Sequence, residues 1–328
     1  MRYLILGPGA VGGAIGGRLF QQGHDVVLIA RGEHLSALIA NGLELRDPVA
    51  TAVLPVPAVG SVTDAAPEPS DVVILATKTQ HSEAALADLA AACPAPPEPQ
   101  FAVVCAQNGV ENERLALRRL ANVYGMRVMV AGTHLEPGVV EIATAPVWGV
   151  LDVGRYPRGT DATAETIAAD LGAAGFDALA TPTVMASKYL KLIANVANAL
   201  EAACGTREGD PLAPELTKRA RAEAHAVCDA AGISVADEGG EQDRRRARGL
   251  LRPVGGVQRT GGSSWQSLER GTGNIEADWL NGEIVLLGRL HGVPTPVNER
   301  LQHVANRMAR DRLPAGSIPA EELAAEIL

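Results

Sequence analysis

The chain has 328 residues, room for about two domains at ~150 residues each. Its 47% apolar and 20% charged residues exclude a disordered chain, and a net charge of −9 argues against a dedicated binder of nucleic-acid phosphates. Aromatics are scarce (3 Trp, 4 Tyr, 3 Phe), so the core must be built from Ala, Val, Leu and Ile. Cys93, Cys105, Cys204 and Cys228 form no CxxC and are expected to be free thiols in a reducing cytosol. The apolar run at the start is too short for a signal peptide, and no stretch approaches the ~18 apolar residues of a spanning helix. A cytoplasmic protein without a membrane partner is expected.

In chain order, Tyr3–Leu6 reads as a short buried strand, Ala10–Gln21 as a helix and Val26–Ala30 as a second strand. Asp71–Ala76 and Phe101–Cys105 are further buried strands, and the Pro-rich stretch Cys93–Gln100 is a surface loop. From about Met126 to Val153 the pattern is strand-like, with a turn at Pro137-Gly138. After Asp161 long helical patterns take over, broken by loops at Gly205–Ala213 and Glu238–Ser263. Apolar strands alternating with helices imply a parallel sheet covered on both faces. The expected fold is therefore α/β: an N-terminal Rossmann-type parallel-sheet domain, 1–181, followed by an all-helical domain, 182–328.

Gly7, Gly9 and Gly12 form G-x-G-x-x-G directly after a strand and directly before a helix. The first glycine permits the turn, the second lets the backbone approach a pyrophosphate, and the third lets helix and strand pack. The helix N-terminus offers free N–H groups to phosphates, so Gly7, Pro8, Gly9, Ala10, Val11 and Gly12 are the expected dinucleotide cradle. The second strand ends in Arg31 rather than an acid, which suits a ribose phosphate and favours NADP(H). Glu33, two residues on, is the counter-indication.

Val184–Ala202 is expected to be one helix. At ~100° per residue, Lys188, Lys191, Asn195 and Asn198 fall in one stripe, opposite Met185, Tyr189, Leu192, Val196 and Leu200. Asn is a poor helix former, so a lysine one turn from two asparagines reads as a site lining; a solvated polar face is the alternative. Asn108, in Gln107-Asn108-Gly109, and Lys78 each follow a buried strand at the edge where α/β sheets hold ligands. Glu276 lines up with Leu280, Ile284 and Leu287, and a carboxylate on an apolar stripe needs a partner, structural or ligand.

The combination resembles the ketopantoate reductases, NADPH-dependent enzymes of pantothenate synthesis. The resemblance rests on GPGAVG, RGEHLSALIANGLEL, Lys78, QNGVEN and the Pro-Gly turn. It continues through KLIANVANAL, SSWQSLERGTGNIEADWLNG and GRLHGVPTPVN. It implies that Lys191 is the general acid and Glu276 holds substrate. It also implies that Asn108, Asn195 and Ser264 position substrate and cofactor, and that Arg31 binds the NADPH phosphate. A homodimer is implied too. Asn198 departs from the pattern, standing seven residues after Lys191 rather than eight, and CGTREGDPLA, Ser263–Ser267 and Ile275 also depart. A paralogue acting on another oxo acid is therefore the alternative.

The expected reaction is hydride transfer from NADPH to a ketone carbon beside a carboxylate, with ammonium Lys191 stabilising the oxygen and donating the proton. Asn108, Asn195 and Asn198 would orient the reactants. Glu276 would accept from a substrate hydroxyl or pair with Lys191. No metal is expected, since the seven His are scattered. Rival readings are a non-catalytic NADP(H) sensor and a dehydrogenase working on a hydroxy acid. Arg244, Arg245, Arg246 and Arg248 read as a solvated basic segment, with an acidic ligand or subunit partner as the alternative.

Overall fold

The computed structural model describes residues 1–94, 98, 100–205, 212–240 and 249–325. The chain forms two compact units, the first Met1–Met185 with Asp237–Arg259, the second Ala186–Ala236 with Thr260–Leu328. The first unit thus ends four residues beyond the expected 181/182 boundary and takes back a segment from deep in the second half. Arg244–Arg248 lies outside the described residues.

The first unit runs β1 (Arg2–Leu6), α1 (Ala10–Gln21), β2 (Asp25–Ile29), α2 (Gly32–Asn41), β3 (Leu43–Arg46), β4 (Thr51–Leu54), β5 (Ala58–Val59) and α3 (Val62–Ala65). It continues with β6 (Val72–Leu75), α4 (Ser82–Ala92), β7 (Ala102–Cys105), α5 (Asn112–Leu117) and β8 (Val123–Met129). Then follow β9 (Gly132–Thr133), β10 (Val139–Ile142), β11 (Thr144–Pro146), β12 (Val150–Arg155) and α6 (Ala162–Ala173). The returning segment supplies β13 (Gly249–Leu251), antiparallel to β11.

The main sheet has seven strands in the order β12-β8-β7-β6-β1-β2-β5. All pair in parallel except β12, which runs antiparallel to β8. The six parallel strands follow the doubly wound order of dinucleotide-binding domains, with the chain reversing direction between β1 and β6. The strands are apolar on both faces because both faces are covered. Tyr3, Ile5, Ile74 and Val104 pack with Ile15 and Leu19 on one side. Leu4, Leu6, Val73 and Val103 pack with Leu86 and Leu89 on the other.

A four-stranded sheet, β4-β3-β10-β9, was not foreseen from the sequence. Helix α1 lies between the two sheets, which explains its paired glycines. A Cβ at Gly16 would meet Ile5 and Leu28 of the main sheet, and one at Gly17 would meet Leu43 and Leu45 of the small one. The helix is thin on both sides so that two sheets can close on it.

The second unit is helical. It consists of α7 (Val184–Asn195, whose first two residues belong to the first unit), α8 (Asn198–Cys204), α9 (Leu212–Ala230) and α10 (Ser263–Glu269). A 3₁₀ turn, Glu276–Trp279, precedes α11 (Asn281–His291), α12 (Pro296–Arg310) and α13 (Ala320–Ala324). Among the described residues no helix is long and apolar enough to cross a membrane.

Two expectations are corrected here. The single helix expected over Val184–Ala202 is two helices, interrupted by a turn at Val196-Ala197. Glu276 does not lie on the helix of Ile284 and Leu287. It opens the 3₁₀ turn, and Leu280, with φ −114° and ψ −85°, separates that turn from α11. Leu280, Ile284 and Leu287 are buried as the stripe implied. Burial was legible there and helical continuity was not, because a carboxylate and one residue of irregular backbone interrupt no apolar pattern.

Candidate active site

In the first unit the loops after β1, β2, β6 and β7 gather at the carboxyl edge of the main sheet, on both sides of the reversal point. Gly7 has φ +91°, and a Cβ there would lie 2.8 Å from Thr77 Cγ2 and 2.9 Å from Thr77 N. Only glycine lets the β1 loop and the β6 loop touch. Gly12 is equally constrained: a Cβ would lie 2.4 Å from the Gly7 carbonyl oxygen and 3.0 Å from Ile5 Cγ2. Gly9 differs. It is the N-cap of α1 at φ −75°, and the nearest atom to a Cβ there is His134 Cδ2 at 3.7 Å. The fold does not need that glycine, and its missing side chain leaves an open edge at the helix N-terminus that a phosphate group fits.

The loop is held from outside by a histidine. Gly138 N–H donates to His34 Nδ1 at 2.9 Å, which makes Nδ1 the acceptor of the neutral ring. Nε2–H then donates to the Pro8 carbonyl at 2.9 Å. His134 packs against this ring, tilted by 53° at 4.4 Å between centroids, and bonds the Val139 carbonyl through Nδ1. Burial pushes the His34 imidazole below its ordinary value, with the Pro8 bond acting the other way. The Pro-Gly turn is thereby tied to the glycine-rich loop. Neither histidine was singled out from the sequence: His34 lies in an amphipathic helix, where a histidine carries no signal, and His134 follows a two-residue strand.

Arg31 stands at the end of β2, exposed, with its guanidinium 3.0 Å from Asp88 of α4. Such a surface pair is worth about 0–1 kcal/mol, so the arginine can turn to another anion at small cost. Glu33 is exposed in the first turn of α2. Lys78 and Asn108 lie in two braced loops. Gln107 Nε2 donates to the Thr77 carbonyl at 2.9 Å and to Ser82 Oγ at 2.8 Å. Ser82 Oγ in turn donates to Asn112 Oδ1, and Asn112 Nδ2 donates to Thr79 Oγ1. Gly7, Pro8, Gly9, Ala10, Val11, Gly12, Arg31, Lys78 and Asn108 are thus brought to one sheet edge.

In the second unit, Lys191 is half-buried and Asn195 buried, one turn apart on α7. The side-chain nitrogen of Asn195 is buried and has no hydrogen-bond partner among the described residues. Asn198 opens α8, beyond the break, so the four-residue stripe expected from helical periodicity ends at Asn195. Ser264 is buried in the first turn of α10, which packs on α8. Glu276 is buried as well. A charge close to it is Arg270: burial lowers the Arg270 guanidinium pKa, and Glu276 counters that shift. Arg270 was missed in the sequence because an Arg-Gly pair at a helix end reads as a surface turn. The 3₁₀ turn itself is fixed by Asp278, whose Oδ1 accepts from Gln302 and Asn306 of α12.

Two family models match the chain, ketopantoate reductase PanE/ApbA over residues 3–158 and its C-terminal counterpart over residues 183–309. The chain belongs to the ketopantoate reductase family. It is 31% identical to a 2-dehydropantoate 2-reductase of Archaeoglobus fulgidus, over 92% of this chain and 95% of that one. It is 27% identical to the enzyme of the same name from Pyrococcus horikoshii, over 97% of this chain and all of the other. Among solved structures it matches a PanE/ApbA family ketopantoate reductase of Ralstonia eutropha with TM-score 0.79 and 28% identity, over 95% of this chain and 99% of that one. A D-mandelate dehydrogenase solved with NADH and anilino(oxo)acetate has the same fold, with TM-score 0.80 and 23% identity over 95% and 99% of the two chains. Family membership makes this chain an oxidoreductase acting on a CH–OH group.

Proposed function

We propose that the protein reduces a 2-oxo acid, ketopantoate, with NADPH, in the synthesis of pantothenate. The observation that carries this reading is the buried amide nitrogen of Asn195, without a hydrogen-bond partner among the described residues, one helical turn from Lys191. A buried donor without an acceptor costs about 1–3 kcal/mol, a cost that a bound polar ligand removes. When bound, the nicotinamide cofactor supplies the hydride. The residues of the first unit fit such a group, because the open edge at Gly9 and the free N–H groups of α1 suit a pyrophosphate. In this reading Gly7–Gly12 and Lys78 hold the phosphates, Arg31 holds the ribose phosphate and Asn108 the nicotinamide end, with Glu276 as a further cofactor- or substrate-binding group.

Lys191, as ammonium, stabilises negative charge on the carbonyl oxygen of the substrate and delivers the proton. Asn195, Asn198 and Ser264 orient the substrate, an entropic contribution. The charge of Arg270 lies close to Glu276, whose carboxylate is suited to accept from a substrate hydroxyl. On this reading the first unit, Met1–Met185 with Asp237–Arg259, is the cofactor domain, the second, Ala186–Ala236 with Thr260–Leu328, is the substrate and dimerisation domain, and the enzyme is a cytoplasmic homodimer. The D-mandelate dehydrogenase likeness supports a second reading, a paralogue for another oxo acid, since one fold serves different acids.

The test is NADPH oxidation by the purified protein with ketopantoate and a panel of other 2-oxo acids, NADH being run in parallel. Turnover with ketopantoate and NADPH that Lys191→Ala abolishes, with NADPH affinity retained, is the expected result. Turnover that survives Lys191→Ala overturns the assignment of the acid. NADPH binding without turnover on any acid favours a sensor.

A further inference from the structure

We propose that Asn281 is a positioning residue: its side chain builds the helix break that separates Asn195 from Asn198. Val196 lies in that break and is fully buried, so its carbonyl cannot turn to water. Val196 N–H still bonds Leu192 O at 3.1 Å, and the next helix starts with Glu201 N–H bonding Ala197 O at 3.0 Å. The Val196 carbonyl between them accepts from Asn281 Nδ2 at 2.9 Å. A donor on a side chain from another helix therefore serves a carbonyl at the break, which turns an interruption into a fixed corner.

The donor is itself held. The second hydrogen of Asn281 Nδ2 goes to Asn298 Oδ1 at 3.0 Å. Asn298 Nδ2 donates to the Ala220 carbonyl at 2.9 Å and to Glu223 Oε2 at 2.8 Å. The Glu223 carboxylate accepts the backbone N–H groups of Val297 and Asn298 at 2.9 and 3.0 Å, in the first turn of α12. Those are N–H groups with no partner inside their own helix, and an anion suits them. Asn281 and Asn298 are buried, so neither amide has solvent to turn to. One chain of bonds thus runs from the start of α12, past α9 and α11, to the corner between the two asparagines. Asparagine is required at 281, because both amide hydrogens are used and aspartate has none to give.

This inference rests on the reading of Lys191, Asn195 and Asn198 as the substrate-facing group. The test uses Asn281→Ala and Asn281→Asp in the full chain, with Lys191→Ala as a parallel variant. Three things are measured: the crystal structure around residues 195–198, NADPH affinity, and kcat and KM for the oxo acid. The expected result is a displaced Asn198, kcat/KM reduced at least tenfold, and NADPH affinity unchanged within twofold. A corner that stays in place with kcat/KM unchanged, while Lys191→Ala is inactive, overturns the positioning role and leaves the site reading standing. If Lys191→Ala remains active the site reading falls, and the crystal structures still decide whether Asn281 builds the corner. Should both Asn281 variants fail to fold, Glu223→Gln takes their place. It weakens the far end of the chain at a half-buried position, and an unmoved corner there with unchanged kcat/KM overturns the inference.

Discussion

Replacing Gly9 with Ala separates a glycine kept for a ligand from one kept for the fold. A Cβ at Gly9 meets only His134 Cδ2 at 3.7 Å, an ordinary contact, and φ −75° is open to alanine. Two small terms oppose each other: reduced freedom of the unfolded chain favours Ala by ~0.4–1 kcal/mol, and Ala is a poorer N-cap than Gly by a similar amount. The net is about zero, a shift in Tm under ~2 °C for a domain of this size. Cofactor binding should respond differently, because the added methyl occupies the edge where the pyrophosphate must approach. A loss of at least tenfold in NADPH affinity, ~1.4 kcal/mol, is expected. Gly12→Ala is the contrast. Its Cβ would stand 2.4 Å from the Gly7 carbonyl, so overpacking should cost ~2 kcal/mol and lower Tm by ~4–8 °C. Calorimetry and NADPH fluorescence titration on the two variants decide the matter. Wild-type NADPH affinity in Gly9→Ala would refute the placement of the pyrophosphate.

Arg31→Ala should weaken NADPH and leave NADH unchanged, whereas Asp88→Asn should strengthen NADPH two- to fivefold by removing the carboxylate that holds Arg31, consistent with the ~0–1 kcal/mol of a surface pair. Equal effects on the two cofactors would contradict this. His34 gives a pH dependence of known sign. Its folded pKa is lowered, so its contribution to stability is complete above the ordinary value of 6.5 and is lost as pH falls from 6.5 through the lowered folded value. Denaturant melts at pH 7.5 and 5 should show that difference shrinking in His34→Gln; a difference that ignores pH refutes it. Asp152→Asn breaks a buried ion pair with Arg127, 2.6 Å long and directly opposite across β8 and β12, and should cost about 3 kcal/mol. A fall in Tm below ~2 °C would mean that the guanidinium is satisfied elsewhere.

The parallel sheet was legible because VVIL and AVVC have no polar face to spare, and the dinucleotide loop because its glycines fall between strand and helix. The small sheet was not legible. Leu43–Arg46 and Thr51–Leu54 are four-residue strands, too short for alternation to stand out. Gly13 and Gly17 carried the missing signal: a helix with glycines on two faces is packed on two sides. In the second unit, residue types found the site and periodicity misplaced part of it. Lys191 and Asn195 do share a face of α7. Asn198 was assigned to the same stripe by counting 100° per residue across a corner that no Gly or Pro marks. The corner is made by Asn281, 85 residues further along the chain, and a long-range cause leaves no local trace.

Buried asparagines in the helical unit are costly. The amides of Asn281 and Asn298 would leave several donors unmet if either were lost. A core built only for stability would hold leucine at such positions, since apolar replacements of matched shape are often neutral or stabilising. Asn298 and Asn281 are satisfied almost completely by each other, by Glu223 and by backbone carbonyls. Asn281 leaves only its Oδ1 acceptor unmatched, whereas Asn195 leaves a buried donor, its amide nitrogen, with no hydrogen-bond partner among the described residues. A network that spends two buried asparagines and a half-buried glutamate on fixing one carbonyl, and ends beside an amide nitrogen with no partner among the described residues, is organised around something that arrives. Asn195→Leu should therefore raise Tm or leave it unchanged while kcat/KM for the oxo acid falls at least tenfold. A destabilised Asn195→Leu with unchanged turnover would show that the amide serves the fold and not the substrate.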